Sequence, residues 1–148
     1  MFGSKKGVTI IELSVVVLLI GIIGFALLPF VRVVRAKARQ RVCVDNLRKI
    51  SVALRVYALE NNERLPQDLT ILFTKGYVES ERVFDCPFTG FKGNSKEPEY
   101  VYIKGLDFMS DKNKPIAYDK KDNHAGEMGN VLYLNGEVVH RNVGAMAE

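Results

Sequence analysis

The 148-residue chain has only two cysteines and two histidines. Cys43 and Cys86 belong to no Cys-x-x-Cys pair, and His124 and His140 are not at the close spacing that structural zinc sites favour, so a zinc site built from these four is set aside. Nucleophile elbow, phosphate loop and spaced carboxylate motif are also missing, and no enzymatic activity is expected. Charge is scarce as well near the start: from position 8 to position 31 the sole ionisable side chain is Glu12. The residues that follow, Arg32-Val33-Val34-Arg35, are not the small-residue cleavage site that ends a secretory signal peptide, so the apolar run is expected to be retained.

A helix over residues 8–31, rising about 1.5 Å per residue, spans the ~30 Å hydrocarbon core of a bilayer. What remains of the chain is enough for one small domain. The net charge of +4 brackets the apolar run, with Lys5 and Lys6 before it and Arg32, Arg35, Lys37, Arg39 and Arg41 after it. Lipid headgroups are the simplest partner for such flanks, and nucleic acid is not expected. Glu12 within the run would cost roughly 2.5–3.5 kcal/mol at mid-membrane, so it either stays solvated at headgroup level or meets a partner. Gly21, Gly24 and Pro29 interrupt the same run, and Pro29 removes one backbone hydrogen bond, leaving a weak point or a plain kink.

The string Lys5-Lys6-Gly7-Val8-Thr9-Ile10-Ile11-Glu12-Leu13 resembles the prepilin-type signal of type IV pilins and type II secretion pseudopilins: a basic leader, a glycine, then a glutamate fifth after the cut. Val8 stands where that family most often has phenylalanine or methionine. The resemblance implies that a prepilin peptidase removes residues 1–7 by cutting between Gly7 and Val8, and that Val8 is then N-methylated. It implies that Glu12 pairs with the amino terminus of a neighbouring subunit, and that helical order is lost between Gly21 and Pro29 on filament assembly. The function so implied is that of a structural subunit of a type II secretion pseudopilus or type IV pilus-like filament. Its partners would be further copies or other pilin-like subunits, the peptidase, an inner-membrane assembly platform and the lipid bilayer.

The implied location is the bacterial inner membrane, crossed once, with the amino terminus cytoplasmic and residues 32–148 on the far side. Flank charge alone favours the opposite orientation, but the signal is read by a peptidase whose active site is cytoplasmic. The alternative is a competence-type minor pilin, a membrane-anchored domain that binds a ligand or DNA. The residues it would use, Lys92, Lys96, Lys112, Lys114, Lys120 and Lys121, are interspersed with acids.

Beyond the apolar run, Cys43, Leu47, Ile50, Leu54 and Tyr57 recur at spacings of four and three, predicting one helix from about residue 9 to residue 60 with a buried stripe on its second half. Arg48, Lys49 and Arg55 fall on the opposite, solvated face. A short helix is predicted over 67–75, between Pro66 and Gly76. Strands are predicted at 100–103, 115–118, 130–134 and 137–140, the last two joined by Asn135-Gly136, a strong hairpin signal. The expected fold is α+β, a long helix laid on a small antiparallel sheet, which is also the pilin layout.

Residues 43–86, with Asn46, Tyr57, Pro66 and the Cys86-Pro87 turn, resemble a group of prepilin-type proteins from several bacterial phyla, many of which end in an Asp-Gly hairpin where this chain has Asn135-Gly136. In an exported domain Cys43 and Cys86 are expected to form one disulfide, the alternative being two unrelated buried thiols. A bridge closing that loop would contribute roughly 4 kcal/mol in the chain-entropy account. Major pseudopilins bind calcium in a C-terminal loop, and Asp107, Asp111, Asp119 and Asp122 are the candidates here. They lack the regular short spacing of a calcium loop, so solvated carboxylates are the default.

Overall fold

The structure, a computed structural model, describes residues 9–90, 93–124 and 126–146, apart from the side chain of Asp122. Helix α1, Ile10–Glu60, is followed by a short α2, Thr70–Thr74, and by four strands: β1 Tyr100–Tyr102, β2 Pro115–Asp119, β3 Met128–Tyr133 and β4 Val138–Asn142. Short 3-10 turns lie at Glu81–Phe84, Lys121–Asn123 and Gly144–Met146. Two compact units divide within α1, Met1–Ala38 and Arg39–Glu148, whereas the sequence placed the boundary at residue 31.

In the first unit every described residue is exposed, apolar ones included, and α1 remains helical through Gly21, Gly24 and Pro29. Its start is a reciprocal cap. The Glu12 N–H donates to Thr9 Oγ1 at 3.3 Å, and the Thr9 N–H and Oγ1 both donate to Glu12 Oε2 at 3.2 Å. This is the capping box that Thr-x-x-Glu encodes, and it satisfies donors that the first helical turn would otherwise leave unpaired.

In the second unit the predicted stripe of α1 is buried at Cys43, Leu47, Ile50 and Leu54, and Asn46, Ala53 and Ala58 join it, while Tyr57 is half-buried. Arg48, Lys49 and Arg55 are exposed, as their face of the helix requires. The helix ends where Asn62 and Glu63 take positive φ of 53° and 62° and the Glu63 N–H donates back to the Ala58 carbonyl at 2.8 Å. Next, Asp68 accepts from the Thr70 N–H at 2.8 Å, so α2 begins at Thr70 and is shorter than the 67–75 expected.

The sheet is an antiparallel meander in the order β1-β2-β3-β4. One face packs Tyr100, Ile116, Ala117, Leu132 and Leu134 against the helix stripe, with Leu65, Leu69, Leu72 and Phe84 closing the same core. The other face carries Tyr118 and Val131, covered by Val143 and Met146 of a C-terminal segment that the pattern of the sequence did not flag. A register shift between Pro115 and Ala117 lets Ile116 and Ala117 both reach the helix side despite the period of two.

The β3–β4 hairpin is present but its loop is not the two-residue Asn-Gly turn. The Tyr133 N–H donates to the Glu137 carbonyl and the Gly136 N–H to the Tyr133 carbonyl, both at 2.9 Å, leaving a three-residue loop from Leu134 to Gly136. Only Gly136 has positive φ, 90°, while Leu134 is buried in the core. Burial of Leu134 outweighs the turn preference of Asn135, and the glycine occupies the left-handed bulge position that ends such loops.

Candidate functional site

Among the described residues, one group of metal-competent side chains converges: Cys43, Cys86, Asp119 and His124, each with a ligand-type atom within 4.8 Å of the others. Each comes from a different element. Cys43 sits on the buried stripe of α1, and Cys86 opens the turn after the 3-10 segment Glu81–Phe84. Asp119 ends β2, and His124 follows the turn Lys121–Asn123.

Local hydrogen bonds hold these elements in place. The Asn46 side chain donates to the Asp85 carbonyl at 3.0 Å and to that of Arg82 at 3.4 Å, fastening the Cys86 loop to α1. The Tyr100 hydroxyl donates to the same Asp85 carbonyl at 3.3 Å. The Cys86 carbonyl accepts from the Thr89 N–H and Oγ1 at 3.2 and 2.9 Å, closing the turn that follows. Asn123 donates to the Glu99 carbonyl at 2.6 Å, which sets the loop leading to His124.

Sheet register supplies the rest. Tyr100 is paired with Asp119, the pairing of Tyr118 with Val131 carries Asp119 opposite Asn130, and Asn130 is paired with His140. A polar row therefore crosses all four strands. Asn130 donates from its backbone N–H and its side-chain amide to Asp119 Oδ2 at 2.7 and 2.8 Å, and its own Oδ1 lies 3.2 Å from His140 Nδ1.

At the centre, Cys43 Sγ and Cys86 Sγ are 3.3 Å apart as free thiols, both fully buried. The disulfide expected from the sequence is not formed in the structure, where the sulfurs are separated well beyond the ~2.05 Å of such a bond. His124 Nε2 lies 2.8 Å from Asp119 Oδ2 and 3.8 Å from Cys86 Sγ, and the imidazole is 7% exposed. The ring of Phe88 covers it at a centroid distance of 4.4 Å. Asp119 Oδ1, on a residue with no exposed surface, has no hydrogen-bond partner among the described residues.

Burial by itself would depress the His124 pKa, but its hydrogen bonds to Asp119 and Cys86 outweigh that and raise it to about 9. Of the two thiols, the hydrogen bond they share lowers Cys86 and raises Cys43, with burial adding to the rise. A thiol next to an imidazole and a carboxylate invites comparison with a cysteine nucleophile. The geometry is wrong for that relay, in which the carboxylate holds one ring nitrogen and the thiol faces the other. Here Asp119 and Cys86 address the same nitrogen.

The other sequence-based candidates are placed as follows. Gly7 and Val8 lie outside the described residues. Glu12 is engaged in the cap of α1, an arrangement legible in Thr9-x-x-Glu12 and missed. Gly21 and Pro29 are exposed on α1. Among the described residues the calcium candidates form no group of their own: Asp107 accepts from Ser110 Oγ at 2.8 Å, Asp111 from the Asn113 N–H at 3.0 Å, and Asp119 belongs to the thiol cluster. The Asp122 side chain lies outside the description. Of the four residues whose zinc site the sequence set aside, Cys43, Cys86 and His124 do converge, joined by Asp119, whereas His140 stands further out, behind Asn130.

No family model, no curated protein and no solved structure matches the chain.

Proposed function

We propose that this chain is a membrane-anchored structural subunit that assembles through α1 into a pilus-like or type II secretion pseudopilus filament after removal of residues 1–7. The observation that carries the reading is the first unit. Its described residues present an apolar helix, long enough to cross a membrane and exposed all round, whose sole carboxylate lies within its first turn. Fully burying one valine, leucine, isoleucine or phenylalanine side chain is worth about 1.5–3 kcal/mol, so a helix that exposes 18 of them in this unit demands lipid or other copies of itself. Neighbouring subunits offer both packing and, at Glu12, a cation.

In the single chain the Glu12 carboxylate is satisfied by Thr9. Assembly would exchange these neutral donors for the amino terminus of the next subunit, a charged pair in a low-dielectric setting. Pro29 cannot donate to the Phe25 carbonyl, and neither Gly21 nor Gly24 has a neighbouring atom near the place of a Cβ, so this stretch is where α1 can give way during assembly.

The test is coexpression of the full chain with a prepilin peptidase. Intact mass is expected to show loss of residues 1–7 and one added methyl group. Glu12→Gln retains an acceptor for the cap but no charge, whereas Thr9→Ala weakens the cap and keeps the charge. Filament yield, read by shearing and electron microscopy, is expected to fall at least tenfold for Glu12→Gln and to be nearly unchanged for Thr9→Ala. An unprocessed mass would sink the reading, and the reverse order of the two variants would reduce Glu12 to a helix cap.

A further inference from the structure

We propose that Cys43 Sγ, Cys86 Sγ, His124 Nε2 and a carboxylate oxygen of Asp119 are the four ligands of a divalent transition-metal ion of the zinc class, held as a structural clasp between α1 and the sheet. The inference concerns only the second unit and stands whether or not the chain forms filaments.

The donor set decides the class of ion. Two sulfurs and an imidazole nitrogen suit zinc and its neighbours, while calcium and magnesium take oxygen donors almost exclusively. Four protein ligands close a tetrahedral shell and leave no position for water, which is the pattern of a structural and not a catalytic centre. Metal–ligand bonds of about 2.0–2.3 Å place tetrahedral ligand atoms about 3.3–3.8 Å apart. The observed separations of 3.3 Å between sulfurs and 3.8 Å from Cys86 to the ring nitrogen fall in that span, and the 2.8 Å from His124 to Asp119 needs to open by about an ångström at most.

Two further observations point the same way. Asp119 Oδ1 is buried without a partner among the described residues, an arrangement that costs free energy unless something electropositive faces it. Asp119 Oδ2 is oriented by two donors from Asn130, and Asn130 is backed by His140, the kind of outer hydrogen bonding that fixes a ligating carboxylate. A disulfide would use the two sulfurs and give Asp119 and His124 no reason to converge on them. On binding, the two S–H bonds break, their protons and any proton on His124 Nε2 pass to solvent, and two sulfur–metal, one nitrogen–metal and one oxygen–metal bonds form with no change of oxidation state.

The experiment uses the full chain in detergent micelles, isolated without added thiol, then reduced, stripped with a chelator and titrated with Co2+ and Zn2+. Expected are one zinc per chain as isolated, two cysteines open to alkylation only after denaturation, and on Co2+ addition a thiolate-to-cobalt charge-transfer band with intense tetrahedral visible bands. Cys43→Ser, Cys86→Ser and His124→Ala should each weaken binding roughly 100-fold or more, and Asn130→Ala roughly 10–100-fold through its hold on Asp119. Asp107→Asn should leave it unchanged. The cobalt spectrum of the unsubstituted chain decides the matter even where a variant fails to fold. A Cys43–Cys86 disulfide in the isolated chain, or a folded, reduced chain that takes up neither ion, overturns the proposal.

Discussion

The Asp85 carbonyl receives two side-chain donors, the Asn46 amide at 3.0 Å and the Tyr100 hydroxyl at 3.3 Å, and this shared acceptor makes a double-mutant cycle informative. Asn46→Ala deletes that bond and the longer one to Arg82, both from a residue only 6% exposed. At about 0.5–1.5 kcal/mol per bond, with the Asp85 carbonyl still served by Tyr100, the loss should be about 1–2 kcal/mol. Tyr100→Phe keeps the ring in the core and removes one long bond, about 0.5–1 kcal/mol. The double variant leaves the carbonyl with neither donor, so its loss should exceed the sum by about 1 kcal/mol, within the range found for residues that share a partner. For a unit of this size, 1 kcal/mol moves Tm by roughly 4 °C. Thermal unfolding of the full chain in detergent, metal stripped and reduced, should be followed by near-ultraviolet circular dichroism of the six tyrosines, because the 51-residue α1 dominates the far-ultraviolet signal. Strict additivity, or an Asn46→Ala loss below about 0.5 kcal/mol, would show that Asn46 does not fasten the Cys86 loop to α1.

Gly93→Ala is expected to destabilise by about 2 kcal/mol or more, since its Cβ would collide with the Phe84 carbonyl oxygen, which cannot move without releasing the Glu99 N–H it accepts at 2.9 Å; an unchanged melting temperature would refute this packing. The Asp68 carboxyl is held below its ordinary pKa by the hydrogen bond from the Thr70 N–H, so its contribution is full above the unfolded value of about 4 and is lost as pH falls through the lower folded value. Protection of the Thr70 amide against hydrogen exchange should fall on acidification in the parent chain and be low, without that acid-dependent fall, in Asp68→Ala; identical profiles would exclude the cap. Because Asp68 is exposed, its effect on global stability should stay within a few tenths of a kcal/mol.

Local chemistry explains why some elements could be read in advance. The stripe through Cys43, Leu47, Ile50 and Leu54 obeys helical period, the apolar N-terminal segment is plain from length and missing charge, and strands β1 to β4 announce themselves by aromatic and β-branched runs. Loop and strand ends shifted where tertiary burial overrode local preference, as at Leu134, whose side chain entered the core and lengthened the hairpin loop by a residue. The Thr9 and Glu12 pairing is equally local, a capping signature four residues long.

The thiol cluster is the opposite case. Its four side chains are single donors on four elements, separated by 43 residues from Cys43 to Cys86 and by 33 more to Asp119, so no spacing rule could mark them as a set. Asp119 and His140 are both plausible donors in a linear reading. Only the pairing register, which seats Asp119 beside Asn130 and puts His140 beyond it, decides which of them faces Cys43. What the chain encodes by itself is therefore what depends on neighbours within a turn or a strand: the long apolar helix, its buried stripe, the cap and the hairpin. Which buried polar groups meet depends on helix-to-sheet packing and strand register, interactions between residues far apart in sequence, and that was decided by the tertiary structure alone.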